Sequence, residues 1–129
     1  MTATIQGIHH VKVPVTYLAT SRQFYEALFR LTVLLEFPDS DGVVRGVAYQ
    51  PVGGVSLALR EDPDRAVALA GYDLIAFAVE PATGIEAWVA ELDSRGIEHS
   101  DPAPGAVGTV VGFDDPDHLK IVLYAGAPQ

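Results

Sequence analysis

The sequence contains no cysteine, which excludes disulfide bonds, thiolate nucleophiles and cysteine metal ligands together. Basic residues are also scarce, since 8 lysines and arginines stand against 17 aspartates and glutamates, for a net charge of −9. Proteins that bind nucleic acid or anionic membrane surfaces usually carry a basic surplus, so we expect neither partner. No apolar run approaches the about 20 residues of a membrane span, and residues 1–7 lack the features of a signal peptide. We therefore expect a cytoplasmic protein.

The chain is apolar and has the length of one domain. It has 129 residues, of which 49% are hydrophobic and 19% are charged. This composition is typical of a globular protein with a substantial core and is unlike that of a disordered chain.

Glycine and proline clusters divide the chain into two similar halves. Each half has the pattern of a strand, a helix and three further strands. A shift of 64 residues superposes most of these elements without a gap. The sequence therefore predicts an α+β fold built from two βαβββ modules, residues 1–63 and 64–129, within one domain.

The boundaries of these elements follow from turn residues and helix-start signals. Capping-box patterns at Thr20 with Gln23, and at Thr83 with Glu86, mark the starts of the two predicted helices, which end at Arg30 and Gly96. Residues 61–71 form the predicted linker between the halves. The predicted strands are residues 5–15, 32–37, 43–50, 55–60, 72–79, 106–113 and 118–124, with 97–99 as a short candidate.

Two segments carry a resemblance to a known family. Residues 8–15, IHHVKVPV, followed by residues 21–25, SRQFY, resemble the start of a member of the glyoxalase / bleomycin resistance protein / extradiol dioxygenase superfamily, also called the vicinal oxygen chelate superfamily. The closing segment from Asp115-Pro116-Asp117 to Tyr124 is similar to that superfamily's last strand. The resemblance implies that both modules curl into one cupped mixed sheet, that the site lies inside the cup, and that the protein is a homodimer.

The resemblance also implies where a metal would bind. Metal-dependent members take ligands from the first and last strand of each module, and these positions correspond here to His10, Ala58, Leu74 and Val122. Only His10 has a metal-binding side chain, whereas a catalytic metal takes about three protein ligands. Neighbouring residues of a strand point to opposite faces, so His9 is not expected to join His10. We therefore expect no bound metal and no cofactor.

Strand alternation predicts which side chains line the cup. One face of the strands is expected to pack under the helices, against Phe24, Leu28, Trp88 and Leu92. The opposite face carries the only two lysines of the chain, Lys12 and Lys120. Cationic groups in a concave, mostly apolar site favour an anionic ligand with an apolar or aromatic part. The candidate ligand-binding residues are Lys12, Ser56, Arg60, Leu74, Lys120, Val122 and Tyr124, and His10 is the candidate catalytic base.

These observations leave three hypotheses open. The first is a protein that binds or sequesters a small anionic or aromatic molecule, as bleomycin resistance proteins do. The second is a metal-independent isomerase or lyase in which His10 acts as the general base. The third is a glyoxalase- or dioxygenase-type metalloenzyme with an unusual ligand set.

Overall fold

The computed structural model describes residues 1–126. The chain divides into two compact units, unit 1 at residues 1–68 and unit 2 from residue 69 onward. The predicted module border between residues 63 and 64 lies within a short helix at the end of unit 1. That the two units form a single glyoxalase-like domain stays a prediction. Within residues 1–126, no helix is long and apolar enough to cross a membrane.

Unit 1 is a four-stranded mixed sheet with two helices. Strand β1 is parallel to β4, and the other pairs are antiparallel in the order β1-β4-β3-β2. The first strand is shorter than predicted because Ile5 and Ile8 lie outside the sheet and are exposed. The elements are β1 (His10–Val15), α1 (Leu18–Phe29), β2 (Val33–Pro38), β3 (Val44–Tyr49), β4 (Ser56–Glu61) and α2 (Pro63–Ala68).

Helix α1 begins three residues earlier than predicted, and the capping box at Thr20 is wrong. Thr20 lies inside the helix, and the N-cap residue Tyr17 makes no capping bond through its side chain. A remote group takes this role, since the N–H of Leu18 donates to Oε2 of Glu61 at 3.0 Å. The buried stripe of α1 includes Tyr25, which is fully buried, whereas Phe24 at the edge of this stripe is only half-buried.

Unit 2 repeats the same sheet order, β5-β8-β7-β6, with β5 parallel to β8. Its core is formed by Leu92 of the helix with buried side chains of β7 and β8, whereas Trp88 is only half-buried. The predicted strand at 97–99 reduces to one bridge from His99 to Phe113. The elements are β5 (Asp73–Ala78), α3 (Gly84–Ser94), β6 (Ala103–Pro104), β7 (Gly108–Asp114) and β8 (Lys120–Gly126).

The second capping box lies at the predicted position, but the predicted hydrogen bond from its threonine side chain to the helix does not form. Thr83 is the N-cap residue of α3, but its side chain makes no capping bond to the helix. Its hydroxyl instead donates to Oε2 of Glu80 at 2.8 Å. The same carboxylate oxygen accepts the N–H of Thr83, so Glu80 stabilises the turn that precedes α3.

The strand register confirms the predicted repeat. Lys12 lies beside Ala58 in the parallel pair of unit 1, and Ala76 lies beside Val122 in that of unit 2. Each residue of the second pair is 64 positions after its counterpart. The fold is therefore α+β, with two four-stranded mixed sheets of the same topology, as predicted.

Candidate functional site

The sheet of unit 1 has one face that packs on α1 and an opposite face with a floor of small side chains. Three of these small residues lie on the central strands β3 and β4, where Ala48 pairs with Ala58 and Gly46 pairs with Arg60. Ser56 begins β4, beside His10 of β1. Apart from Arg60, these floor residues carry at most a hydroxymethyl group, so the floor leaves room above the sheet.

The floor lies between two walls of different chemistry. On β1, His10 and Lys12 alternate away from the buried Val13 and Val15. On the opposite edge, β2 contributes Leu35, which pairs with Ala48, and Phe37, which pairs with Gly46. A cavity of about 340 Å³ results, which we call the unit 1 cavity. Its lining includes His9, His10, Lys12, Leu34, Leu35, Phe37, Gly46, Ala48, Ser56, Ala58 and Arg60.

The unit 1 cavity is cationic in a strongly acidic protein. None of the residues that line it is an aspartate or a glutamate. Within the described residues, five of the eight basic side chains form ion pairs with carboxylates, namely Arg22, Arg45, Arg65, Arg95 and Lys120. Lys12 and Arg60 form none in this part of the chain, and both line the cavity. Lys12 therefore offers its charge to a ligand, whereas Arg60 also acts on the nearby carboxyl of Asp62, whose pKa is lowered mainly by Arg65 and in smaller part by Arg60.

The two histidines at the start of β1 contact each other, and the prediction that His9 points away from His10 is wrong. Their Nδ1 atoms lie 2.9 Å apart, and their rings meet edge to face with centroids 5.2 Å apart. The reason is that β1 begins at His10, so His9 precedes the pleated strand and does not follow its alternation. Both rings line the unit 1 cavity.

Arg60 lies beside Gly46, its partner in the strand register. A Cβ atom at Gly46 would be 3.6 Å from Cδ of Arg60 and 3.6 Å from Cβ of Phe37. The aliphatic part of Arg60 therefore occupies the space beside Gly46.

The remaining predicted residues belong to unit 2. Lys120 and Val122 line a second cavity of about 900 Å³, which also contains Asp73 and Asp114. The ammonium of Lys120 is 2.9 Å from Oδ1 of Asp114 and lowers the pKa of that carboxyl. In this structure Lys120 is thus a paired cation, because its partner stands on the neighbouring strand β7.

Two predicted residues do not line either cavity. Leu74 is 38% exposed on β5 and is not part of the cavity lining. The hydroxyl of Tyr124 accepts the N–H of Val107 at 2.9 Å, so it holds the loop before β7. Sequence reasoning missed Leu35 and Phe37, because only the pairing of β2 with β3 places them beside the floor.

The sequence matches the family model Glyoxalase/Bleomycin resistance protein/Dioxygenase superfamily over residues 7–123. It is 30% identical to the metallothiol transferase FosB of Staphylococcus saprophyticus subsp. saprophyticus, covering 97% of this chain and 80% of that protein.

Solved structures show the same fold. A mutant of the fosfomycin resistance protein FosX of Listeria monocytogenes, complexed with Mn(II) and 1S,2S-dihydroxypropylphosphonic acid, has a TM-score of 0.76 at 20% identity, over 96% of this chain and 95% of that one. TnmS3, an antibiotic binding protein from Streptomyces sp. CB03234, has a TM-score of 0.73 at 23% identity, over 98% of this chain and 100% of that one.

These comparisons correct the prediction that no cofactor takes part. FosX was crystallised with Mn(II), and FosB is a metallothiol transferase by name, so proteins similar to this chain use a metal ion. The expectation of a cofactor-free protein, which followed from the missing ligands, is therefore contradicted.

The residues at the four positions where metal-dependent family members carry metal ligands do not fit a bound metal ion. His10 carries a nitrogen ligand, but Ala58, Leu74 and Val122 end in hydrocarbon and donate no electron pair. Ala58 also lies beside Lys12, whose ammonium repels a cation. Among residues 1–126 no group of three or more histidine, aspartate or glutamate side chains could hold a metal ion.

Proposed function

This chain belongs to the Glyoxalase/Bleomycin resistance protein/Dioxygenase superfamily, and from that premise we propose that it binds a small organic anion in the unit 1 cavity. One observation carries the proposal. In a protein of net charge −9, this cavity has no carboxylate in its lining and has two cations, Lys12 and Arg60, that form no ion pair among the described residues. Such a field concentrates anions and repels cations.

The shape of the site supports a small ligand. A cavity of about 340 Å³ lies at the lower end of the roughly 300–1,000 Å³ typical of small-molecule sites. Most of its wall is apolar, with a few polar groups near β1. Lys12 gives the anion a charge-assisted hydrogen bond, and His10 and Ser56, which are neighbours in the register, give neutral ones.

The relatives support the ligand class. FosX was crystallised with a phosphonic acid, which is an organic anion, and TnmS3 binds an antibiotic. We propose that this chain shares the binding of such small molecules. The metal-dependent chemistry that the name of FosB indicates is not assigned to this chain, because the donor set does not fit the metal.

The contact between His9 and His10 favours one further role. With Nδ1 atoms 2.9 Å apart, one ring donates a hydrogen bond to the other, and such a pair can pass a proton to or from a bound ligand. This would make His10 the general base that the sequence predicts, and it stays a prediction.

The predicted homodimer also stays a prediction, which light scattering can check. The position of β2 at the edge of its sheet supports it.

The test is calorimetric titration with phenylphosphonate and its neutral dimethyl ester. Lys12→Met and Arg60→Gln each remove a cation from the cavity, and Arg30→Gln removes one that is also unpaired among the described residues but does not line the cavity. Losing a charge-assisted hydrogen bond costs about 1.5–3 kcal/mol, or roughly 10- to 150-fold in affinity. We expect that loss in the first two variants and none in the control. Equal affinity for the neutral ester, or equal losses in all three variants, would contradict the proposal.

A further inference from the structure

We infer that the ligand of the unit 1 cavity is a flat acid with one charged end, lying across the strands with its anion at β1 and its apolar body toward β2. This inference rests on the proposed binding of organic anions and specifies which of them the cavity selects. It follows from where the register places small, apolar and cationic side chains.

The floor of the cavity carries small side chains over two strands. Gly46 and Ala48 of β3 lie beside Arg60 and Ala58 of β4, so the centre of the sheet carries at most a methyl group at three of these four positions. A planar ring can lie on such a surface in full contact. A puckered ring of the same number of carbon atoms touches it at fewer points and loses dispersion and burial.

The two walls give the ligand its direction. Lys12 on β1 and Leu35 on β2 stand at opposite ends of one row, Lys12–Ala58–Ala48–Leu35. Three strand spacings separate their backbones, which is about 14 Å. One end of this row is cationic and the other is apolar, so an acid with a single anionic group lies with that group at Lys12. A second anionic group at the Leu35 end would be buried against hydrocarbon without a partner.

Arg60 lines the cavity along the side of the ligand. Its Cδ and the Cβ of Phe37 flank Gly46, each 3.6 Å from an ideal Cβ at that position. The guanidinium is planar and stacks on aromatic faces. Arg60 therefore adds affinity for a flat aromatic body.

The size of the ligand is limited at Ala48. This residue is half-buried in the middle of the floor, between Leu35 and Ala58. Valine at this position keeps the strand preference and adds two methyl groups above the floor. It shortens the space for a flat body without changing any charge.

The experiment compares acids that share a carboxylate and differ in shape. Wild-type protein is titrated calorimetrically with acetate, benzoate, 2-naphthoate and cyclohexanecarboxylate, which has the same number of carbon atoms as benzoate. We expect benzoate to bind at least fivefold more tightly than cyclohexanecarboxylate. We expect Ala48→Val to weaken 2-naphthoate at least tenfold and to leave acetate unchanged. The control Ala78→Val, at an exposed strand position of unit 2, should change neither affinity.

A second variant, Gly46→Ala, allows the same measurement if Ala48→Val does not fold. Gly46→Ala changes no charge and adds a methyl group to the floor, 3.6 Å from Cδ of Arg60 and from Cβ of Phe37, so it should weaken 2-naphthoate by occupying the space of the flat body. Equal binding of benzoate and cyclohexanecarboxylate, or full 2-naphthoate affinity in both folded variants, overturns the inference. In that case acetate and phenylphosphonate still report on the proposed function, which fails only if no organic anion binds.

Discussion

The imidazole rings of His9 and His10 are joined by a hydrogen bond between their Nδ1 atoms, which lie 2.9 Å apart at the start of strand β1. Two neutral rings can share such a bond only if one carries its proton on Nδ1 and the other accepts with a bare Nδ1. In two neutral rings this bond therefore requires different tautomers. Each keeps its Nε2 for solvent or for a ligand, one as an acceptor and the other as a donor.

The histidine pair gives a spectroscopic prediction. In long-range ¹H–¹⁵N spectra of the neutral rings, one of the two histidines should show the Nδ1–H tautomer and the other the Nε2–H tautomer. His9→Ala should remove that constraint and change the ¹⁵N pattern of His10, whereas His118→Ala, which is in unit 2, should not. Two identical Nε2–H patterns in the wild type would show that the bond does not form.

A second prediction concerns the start of α1. Because Glu61 accepts the N–H of Leu18, Glu61→Ala should destabilise the protein by about 1 kcal/mol, as the loss of a helix cap typically does. Glu61→Gln keeps an acceptor oxygen and should cost less. Urea denaturation of the three proteins at pH 7 measures the difference. If the two variants lose the same amount, the charge of Glu61 and its ion pair with Arg45 matter, and the capping bond does not.

The same carboxylate gives a pH dependence of defined sign. The N–H of Leu18, followed by the guanidinium of Arg45, lowers the pKa of Glu61 below its ordinary value of 4.5. The ionised group therefore stabilises the folded state above about pH 4.5, and this contribution is lost as the pH falls through the lower folded-state pKa. The difference in stability between wild type and Glu61→Ala should shrink between pH 6 and pH 3. A constant difference across this range would contradict the assignment.

His99 of unit 2 should give stability a pH dependence of the opposite sign to that of Glu61. Its Nδ1 lies 2.7 Å from the carbonyl oxygen of Ser100 and its Nε2 lies 2.7 Å from Oδ1 of Asp93, and these acceptors raise the pKa of His99 above 6.5. The contribution of the charged ring is complete below about pH 6.5 and is lost as the pH rises through the higher folded-state pKa. Denaturation from pH 5 to pH 9 should show this loss in the wild type, and His99→Gln should abolish it. Asp93→Asn should reduce it.

The parts of the fold that depend on local pattern could be predicted from the sequence. Alternation along β1 and β4 correctly separated the buried Val13 and Leu59 from the side chains of the opposite face. The repeat at 64 residues follows from the order of elements and reappears in the strand register. Strand ends were less certain, because isoleucines such as Ile5 favour strands by propensity even where the sheet offers them no neighbour.

The parts of the site that depend on neighbouring strands could not be predicted. The pairing of β2 shifts by one residue between Val33 and Leu35, and this irregularity decides which of its side chains face the floor. No sequence pattern shows such a shift. In the same way, only the β7–β8 register brings Asp114 to Lys120, so the sequence could not show that this lysine is paired.

The most direct test of anion binding in the unit 1 cavity is a ¹⁵N–¹H amide spectrum of the full chain, titrated with phenylphosphonate. We predict that the perturbed amides cluster on one face of one sheet, at residues 10–12, 46–48 and 56–60, and that Lys12→Met reduces these shifts at every ligand concentration. Shifts centred on Lys120 and Asp114 of unit 2, or no shifts at millimolar phenylphosphonate, would contradict the account.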